Sequence, residues 1–331
     1  MSYDELPKVS LIVPCRNEER FIGKFLDSLC NQKYPKDKME IIFVDGRSDD
    51  DTKGVIQRYR DKFLVSIIDN PMKFTPVALN LGIKNSSGDY VIILSSHTAL
   101  KDTFIYDNIK TILDTKADCV GGIIKTYPSK DSLFAKGIAF VLSNKFGVGN
   151  SLFRTGIDKL MEVDTVPFGC YKRSVFDRIG YFNEKLIRNQ DLELNLRLKN
   201  SGYKIVLNPQ IESIYFARGD LKSFFKQNFQ NGFWVFYGLK FAKLPFSFRH
   251  TIPAIFVLSL LVGIYPPFLP VSIASFIAYN LVNLYFTFNI AKEKGFKYFL
   301  PTFLSFWTLH LSYGIGSIWG LIRYIFGGKG V

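Results

Sequence analysis

Glu40-Ile41-Ile42-Phe43-Val44-Asp45-Gly46-Arg47-Ser48-Asp49-Asp50-Asp51-Thr52 decides the fold. The run Ile41–Val44 is apolar without alternation, the pattern of a strand buried on both faces of a parallel sheet. It passes straight into a polar, glycine-bearing loop, and loops just past such strands are where open α/β sheets bind ligands. Upstream, Val9-Ser10-Leu11-Ile12-Val13-Pro14 has the same character, and Glu18 to Gln32 places Ile22, Phe25, Leu26 and Leu29 at helical spacing. Downstream come a helix, a strand at Leu64–Ile68, a helix at Pro76–Lys84 and a strand at Tyr90–Leu94. This alternation predicts an α/β fold with a doubly wound, mostly parallel sheet.

No G-x-G-x-x-G follows the first strand and no G-K-S/T loop occurs anywhere, which disfavours dinucleotide oxidoreductases and P-loop NTPases. The first two strand-end loops instead carry Arg16, Asn17, Glu18 and Asp45, groups able to grip a nucleoside through its base and ribose hydroxyls. Asp and Asn are also ordinary loop residues.

The 331 residues suffice for a full core, and hydrophobic residues make up 47% with 32 Phe, unevenly spread. Residues 251–326 hold long apolar runs that the first half lacks, so a soluble domain tethered to a membrane is expected. The net charge of +13 then suits an anionic lipid surface. No basic tract interleaved with aromatics points to nucleic acid. The four cysteines, Cys15, Cys30, Cys119 and Cys170, lack metal-like spacing and are expected as reduced thiols. Met1–Pro7 is polar and acidic, from which no cleaved signal peptide and a cytosolic first domain are expected.

Further on, Lys101–Asp118 is a predicted helix, Cys119–Ile124 and Tyr203–Leu207 are predicted strands, and the glycines of Ser129–Asp164 suggest a mobile segment, either a loop with a role or a surface excursion with none. Asn189-Gln190-Asp191-Leu192-Glu193-Leu194-Asn195-Leu196-Arg197 opens a helix stopped at Gly202. Glu193 and Arg197, four apart, can pair on one face, which leaves Asp191 unpaired in the first turn. Asp191 is either a helix N-terminal charge or a general base for a hydroxyl.

Several of these segments resemble, in order, the motifs of family 2 glycosyltransferases of the GT-A fold. They are Pro14-Cys15-Arg16-Asn17-Glu18, Val44–Thr52 with one extra residue, Ala78-Leu79-Asn80-Leu81-Gly82, Gly88-Asp89-Tyr90-Val91, Pro167–Arg173, Gly180–Glu184 and Asn189–Arg197. The resemblance spans about residues 8–240 and is nearest to the succinoglycan, exopolysaccharide-building subgroup. It implies an inverting, membrane-bound hexosyltransferase with a uridine diphosphate sugar as donor and a lipid-linked (polyprenyl) saccharide as acceptor. It also implies Asp191 as catalytic base, Pro14, Arg16, Asn17, Glu18, Asp45, Asn80 and Ser95 around the nucleotide, and Phe168, Gly169, Gln190, Glu193, Gln227 and Trp234 around sugar and acceptor.

The family's cation-binding D-x-D is replaced here by Ser95-Ser96-His97. His97 either binds Mn²⁺ or Mg²⁺ with the diphosphate, or donates to the phosphates without metal, or marks an impaired site. Two other functions compete with the main one: a polyprenyl-phosphate sugar synthase, and a non-catalytic membrane protein that keeps nucleotide-sugar binding.

The expected domains are a cytosolic GT-A unit over 1–219, an amphipathic interfacial segment over 220–250 and a membrane domain over 251–331. Between Asp220 and Lys243 aromatics interleave with Lys222, Lys226, Lys240 and Lys243, which suits a helix in a headgroup layer or an ordinary buried amphipathic helix. Gln227 and Trp234 keep part of the family pattern, but no arginine stands between them, which weakens a processive reading. Thr251–Leu269 and Val271–Ile290 are candidate crossings, and Tyr298–Phe326 is a third apolar region. A multi-pass protein of the cell membrane with two or three crossings is expected, the basic loop at Lys292–Lys297 on the cytosolic side. Gly316-x-x-x-Gly320 suits close helix packing, against another copy in a homo-oligomer. His310 is either a lipid-phosphate contact or a histidine satisfied by neighbouring helices.

Overall fold

The computed structural model describes residues 5–243 and 248–327. In chain order the elements are β1 (Val9–Cys15), α1 (Glu19–Cys30), β2 (Met39–Asp45), α2 (Thr52–Gln57), β3 (Leu64–Asp69), α3 (Thr75–Lys84), β4 (Tyr90–Ile93), β5 (Thr98–Leu100), α4 (Phe104–Thr115) and β6 (Cys119–Pro128). Then follow α5 (Leu133–Leu142), α6 (Lys145–Val148), α7 (Leu152–Thr155), β7 (Met161–Glu162), β8 (Cys170–Lys172), α8 (Arg173–Ile179), α9 (Gln190–Asn200) and β9 (Ile205–Ala217). The chain continues as α10 (Leu221–Tyr237), α11 (Phe248–Leu261), α12 (Leu269–Lys294) and α13 (Phe299–Phe326).

Two compact units result: residues 1–125 with 156–215, and residues 126–155 with 216–331. The first unit is built on the sheet, in the order β3-β2-β1-β4-β8-β6-β9-β5, with β7 paired to β9. β1 and β2 are parallel from Val9↔Met39 to Cys15↔Asp45, and β4 runs parallel on the other side of β1. Their apolar side chains are withdrawn from water, as the unbroken run at Ile41–Val44 requires. On this sheet α1 lays Ile22, Phe25, Leu26 and Leu29, all fully buried. Phe25 meets Phe43 edge to face at 6.3 Å, and burial of each such ring is worth on the order of 2–3 kcal/mol.

The sheet is mixed rather than mostly parallel. Parallel pairing holds from β3 to β4, and then β4–β8, β6–β8, β5–β9 and β7–β9 are antiparallel. All the strands beyond β4 except β9 are short or glycine-bearing, and a short apolar run carries no sign of its direction. Gly122 permits one such neighbour: a Cβ there would stand 1.9 Å from the Ile211 carbonyl oxygen.

The second unit is helical and takes in residues 126–155, which the sequence reading had left with the sheet domain as a mobile excursion. Instead Ala135, Ile138, Ala139 and Val141 of α5 are buried. Phe146 of α6 stacks on Phe286 at 5.1 Å and touches Tyr279, Phe306 and His310. Gly137 lets the backbone of Pro301 close in, since a Cβ there would meet its carbonyl carbon at 2.9 Å. His310 is satisfied inside the protein, by the Tyr279 hydroxyl at 2.9 Å and the Phe146 carbonyl at 3.0 Å, which removes it as a lipid-phosphate contact.

Gly316-x-x-x-Gly320 is used within the chain. Added Cβ atoms would stand 2.1 Å from the Phe229 oxygen and 2.3 Å from the Phe233 oxygen of α10, and one added at Gly232 of α10 would stand 2.1 Å from the Tyr313 oxygen. This face of α13 is therefore taken by α10, not offered to a second copy. For the same reason α10 is a packed helix, with Phe224, Asn228, Trp234, Val235 and Tyr237 buried and Lys222, Phe225 and Lys226 exposed.

Of the expected crossings, one helix qualifies by length and composition among the described residues, Pro266–Lys294, with 11% of its apolar window buried. His250–Ile264 is a shorter apolar helix, roughly 22 Å long at 1.5 Å per residue. α13 is continuous over 28 residues and buries small residues along its length, among them Ser305, Ser312, Gly314, Gly316, Ser317 and Gly320.

Candidate active site

The carboxyl ends of β1, β2 and β4 are adjacent because those strands are neighbours, so their loops share one edge of the sheet. The loops after β1 and β2 are stitched together by polar groups. The Asn17 N–H donates to Ser48 Oγ at 3.0 Å, the Glu18 N–H to Thr52 Oγ1 at 2.7 Å, and the Glu19 N–H to Asp50 Oδ2 at 3.1 Å. In return the Asp49 N–H donates to Asn17 Oδ1 at 2.8 Å. Asn17 and Arg47 both hold positive φ, near 56°, a conformation asparagine tolerates better than most residues. Pro14 lies within β1 opposite Val44, and Arg16 lays its stem against Gly46, whose missing side chain leaves the space.

Asp45 closes β2 and is fully buried. Its carboxylate accepts from Ser48 Oγ at 2.5 Å and from the Ser48 N–H at 3.1 Å, and pairs with Lys53 Nζ at 3.1 Å. Lys53 was not anticipated from the sequence; the signal was a lysine at the second position of the helix that follows the acidic loop.

Beyond β4 the Ser95-Ser96-His97 turn is pinned by Thr98, whose N–H and hydroxyl both reach the Ser95 carbonyl, at 3.2 and 2.6 Å. His97 Nε2 stands 2.9 Å from Glu18 Oε1, and Phe21 meets the imidazole edge-on at 5.4 Å. Glu18 is 7% exposed, and its other oxygen, Oε2, is buried with no hydrogen-bond partner. For a divalent cation these residues offer one imidazole nitrogen and an unsatisfied carboxylate, a donor set that fits. No group of three or more His, Cys, Asp or Glu is clustered for a metal among the described residues, so other ligands would come from water or substrate.

Asp191 opens α9 behind Asn189, which caps the helix in the left-handed conformation at φ 62°. The predicted pair forms: Arg197 Nε and Nη2 donate to the two Glu193 oxygens at 2.6 and 2.9 Å. Asp191 is left without a cation partner among the described residues, and it reaches solvent although protein crowds closely around it. Desolvation by the surrounding protein raises its carboxyl above the ordinary value, opposed by the backbone N–H groups of Leu192 and Asp191. Beside it, Asn189 Nδ2 and Gln190 Oε1 are buried without hydrogen-bond partners.

Three of the expected ligand residues make contacts within the protein. Asn80, 4% exposed, spends its amide on the segment that follows α8: Nδ2 donates to Phe182 O and Glu184 Oε1, both at 2.9 Å, and Oδ1 accepts from the Phe182 N–H at 2.9 Å. Glu193 gives both oxygens to Arg197, which in turn ties down Tyr181 O at 2.6 Å. Gly169 makes room for the Tyr171 ring, which a Cβ would approach to 2.6 Å. Phe168 next to it takes φ 47°. Gln227 and Trp234 stand on α10 in the second unit, where Trp234 is buried against Tyr237 and Phe241. Sequence reasoning also missed Tyr171, whose hydroxyl meets Asn195 Oδ1 at 3.2 Å while Asn195 Nδ2 donates to Thr165 at 2.8 Å, fixing α9 on the sheet.

A mixed sheet with acidic and amide groups at the carboxyl ends of its parallel strands, faced by a helix-opening aspartate, defines a nucleotide-sugar transferase of the GT-A fold. Glycosyl transferase family 2 matches residues 10–180, and the chain belongs to that family. It is a glycosyltransferase, 32% identical over 276 residues to the dolichyl N-acetyl-alpha-D-glucosaminyl phosphate 3-beta-D-2,3-diacetamido-2,3-dideoxy-beta-D-glucuronosyltransferase of Methanococcus voltae, covering 78% of this chain and 84% of that protein. To the succinoglycan biosynthesis protein ExoA of Rhizobium meliloti it is 28% identical over 237 residues, 70% of this chain and 71% of that one. In fold it is similar to the mannosyltransferase PcManGT of Pyrobaculum calidifontis, solved with GDP-Man and Mn²⁺, at a TM-score of 0.57 and 18% identity over 98% of this chain and 89% of that chain.

Proposed function

We propose that this glycosyltransferase is membrane-anchored and inverting, and moves a sugar from a uridine diphosphate donor to a lipid-linked saccharide. The observation that carries the reading is the position of Asp191, unpaired at the start of α9 with its carboxyl raised by desolvation. A carboxylate so placed, in its ionised form, takes a proton from an alcohol more readily than an ordinary one, because its conjugate acid is weaker. As the acceptor oxygen attacks the anomeric carbon, its proton passes to Asp191. The bond from that carbon to the diphosphate oxygen breaks, and the nucleoside diphosphate leaves with the electron pair, inverting the centre.

Asp45, Asn17 and Arg16 form the nucleotide side, the first two rigid through their bonds to Ser48 and Asp49. A divalent cation at His97 and Glu18 would supply charge neutralisation for the departing diphosphate. Asn189 and Gln190, with buried unsatisfied amide atoms, are suited to hydroxyls of the acceptor sugar.

The membrane part of the reading rests on α12. Ile273, Phe276, Ile277, Leu281, Leu284 and Phe288 are all exposed, an apolar surface far beyond what water-facing helices carry. α11 and α13 flank it as further candidate crossings. The Methanococcus relative's name describes a dolichyl-linked sugar phosphate as acceptor, which supports a lipid-borne saccharide here. An enzyme fixed in the plane of such an acceptor meets it at high effective concentration.

The test is transfer of radiolabelled sugar by the full chain in detergent or native membranes, with lipid-linked saccharide and free polyprenyl phosphate as separate acceptors. Label in the lipid-linked saccharide supports the reading. Label on polyprenyl phosphate alone would make the chain a polyprenyl-phosphate sugar synthase. Retention of uridine diphosphate with no transfer or hydrolysis under Mn²⁺ or Mg²⁺ would make it a binding protein.

A further inference from the structure

We propose that α11 and α12 form a hairpin that enters one leaflet of the bilayer and returns to the face it came from, so that neither helix crosses. The inference rests on the membrane-anchored reading above and deepens it. The occupant of the hairpin's apolar surface is the acyl layer of that single leaflet.

The length of the two limbs sets the limit. The apolar helix His250–Ile264 is roughly 22 Å long, short of a hydrocarbon core of about 30 Å. α12 is long enough to cross, but from Tyr279 onward one of its faces is taken by protein. Tyr279 and Phe286 meet Phe146 of α6 at 5.8 and 5.1 Å, and Asn283 Nδ2 donates to Phe303 O of α13 at 3.3 Å. Next to Phe146, Lys145 is exposed, so sinking α12 as far as Phe286 would take a lysine into the acyl layer, a costly place for a charge. What projects freely is Leu269 to Ala278, about 15 Å at 1.5 Å per residue, or half of the core. On this tip Leu261, Ile264, Tyr265, Phe268, Val271 and Ile273 are exposed, Ile264 at 82%.

The turn between the limbs is suited to hydrocarbon. Irregular backbone is kept out of lipid by N–H groups that find no acceptor there. Here the Tyr265 N–H donates to Val262 O at 3.1 Å, the Phe268 N–H to Tyr265 O at 3.0 Å and the Leu269 N–H to Pro266 O. Pro266, Pro267 and Pro270 have no N–H to satisfy, so every donor from Tyr265 to Pro270 is accounted for. Ser272 clips the limbs together, its Oγ donating to Ser259 O at 2.7 Å, and Gly263 leaves room for it, since a Cβ there would stand 2.3 Å from that oxygen. A turn emerging into water on the far side would need none of this. No charged residue occurs between Thr251 and Ala291, and the charges resume with Lys292, Glu293 and Lys294 where α12 ends.

Accessibility of single cysteines in the full chain reads the topology directly. Ile264→Cys and Lys294→Cys are made with Cys30→Ser, since Cys15, Cys119 and Cys170 are buried. A membrane-impermeant maleimide is applied to spheroplasts and to inverted vesicles. Lys294→Cys should be labelled in inverted vesicles only. Labelling of Ile264→Cys should be lost from both faces and appear once dodecyl sulfate dissolves the membrane. A nitroxide at the same position in reconstituted vesicles should collide more with oxygen than with an aqueous nickel complex. Labelling of Ile264→Cys from the face opposite Lys294 would show a crossing and overturn the proposal. Labelling from the face that Lys294 shares, or a nitroxide dominated by nickel or reached by neither relaxant, would overturn it as well, by placing the tip in water or inside protein. Release of the full chain by alkaline carbonate would refute the anchored reading and the hairpin together, whereas a retained chain with a labelled tip refutes the hairpin alone.

Discussion

Asp191 and Asn80 mark two kinds of polar residue in this fold, one without a cation partner among the described residues and one whose amide is hydrogen-bonded within the protein. Desolvation raises the Asp191 carboxyl, so the protonated form persists to higher pH and the base form appears only above the ordinary value of about 3.9. The rate of transfer should rise with pH through that displaced titration. In stability the sign is opposite: with the folded pKa raised, this group favours the folded state at low pH, and that contribution is lost as pH rises through the folded pKa. A pH–rate profile of the wild type checks the first statement, with an acidic limb above the usual aspartate range as the expected outcome. Asn80→Ala should cost about 2–3 kcal/mol, because the Phe182 N–H and carbonyl lose their partners in a buried place, and thermal unfolding measures it. A loss of activity in that variant without loss of stability would return Asn80 to the nucleotide.

At the scale of elements, glycine and buried charge fix which surfaces can meet. Gly316→Leu should drive α13 off α10, since even a Cβ would overlap the Phe229 oxygen at 2.1 Å, and the cost should be several kcal/mol with exposure of Trp234 to quenchers. At the other edge of the sheet Glu40 joins β2 to the start of β4. It accepts from Ser10 Oγ at 2.5 Å and the Gly88 N–H at 3.0 Å, with Ser87 alongside. Desolvation works against its charge, but these bonds and Lys8 carry its pKa below the ordinary value. Its stabilisation is therefore present above the unfolded pKa and fades as pH falls through the folded one. Glu40→Gln should remove that part of the acid sensitivity and cost roughly 1–3 kcal/mol in neutral buffer, read by denaturant titration at several pH values.

The elements themselves were largely legible in the sequence. Ile41–Val44 and Val9–Pro14 announced parallel strands because a strand buried on both faces has no polar alternation to disguise it. The Glu193–Arg197 pair followed from helical spacing alone. What the sequence could not reveal was direction beyond β4, the packing of Phe146 within the helical unit, and the hydrogen bonds of Asn80, since each depends on partners far away in the chain. Glu18 beside His97 belongs to the same class: nothing local joins two residues whose meeting is set by strand order.

On the scale of the whole molecule, the chain joins a family 2 glycosyltransferase unit to a helical unit whose α12 is long and apolar enough to cross a membrane, the basis of the proposed anchoring. The full chain should remain with the membrane through alkaline carbonate washing and require detergent for release; release by carbonate would mean that those helices lie on the membrane rather than in it. The most direct test of the proposed chemistry is Asp191→Asn, assayed for sugar transfer and, separately, for retention of uridine diphosphate. Transfer should fall by about 10²–10⁴-fold with nucleotide retention unchanged. Turnover equal to the wild type would show that another group takes the acceptor's proton.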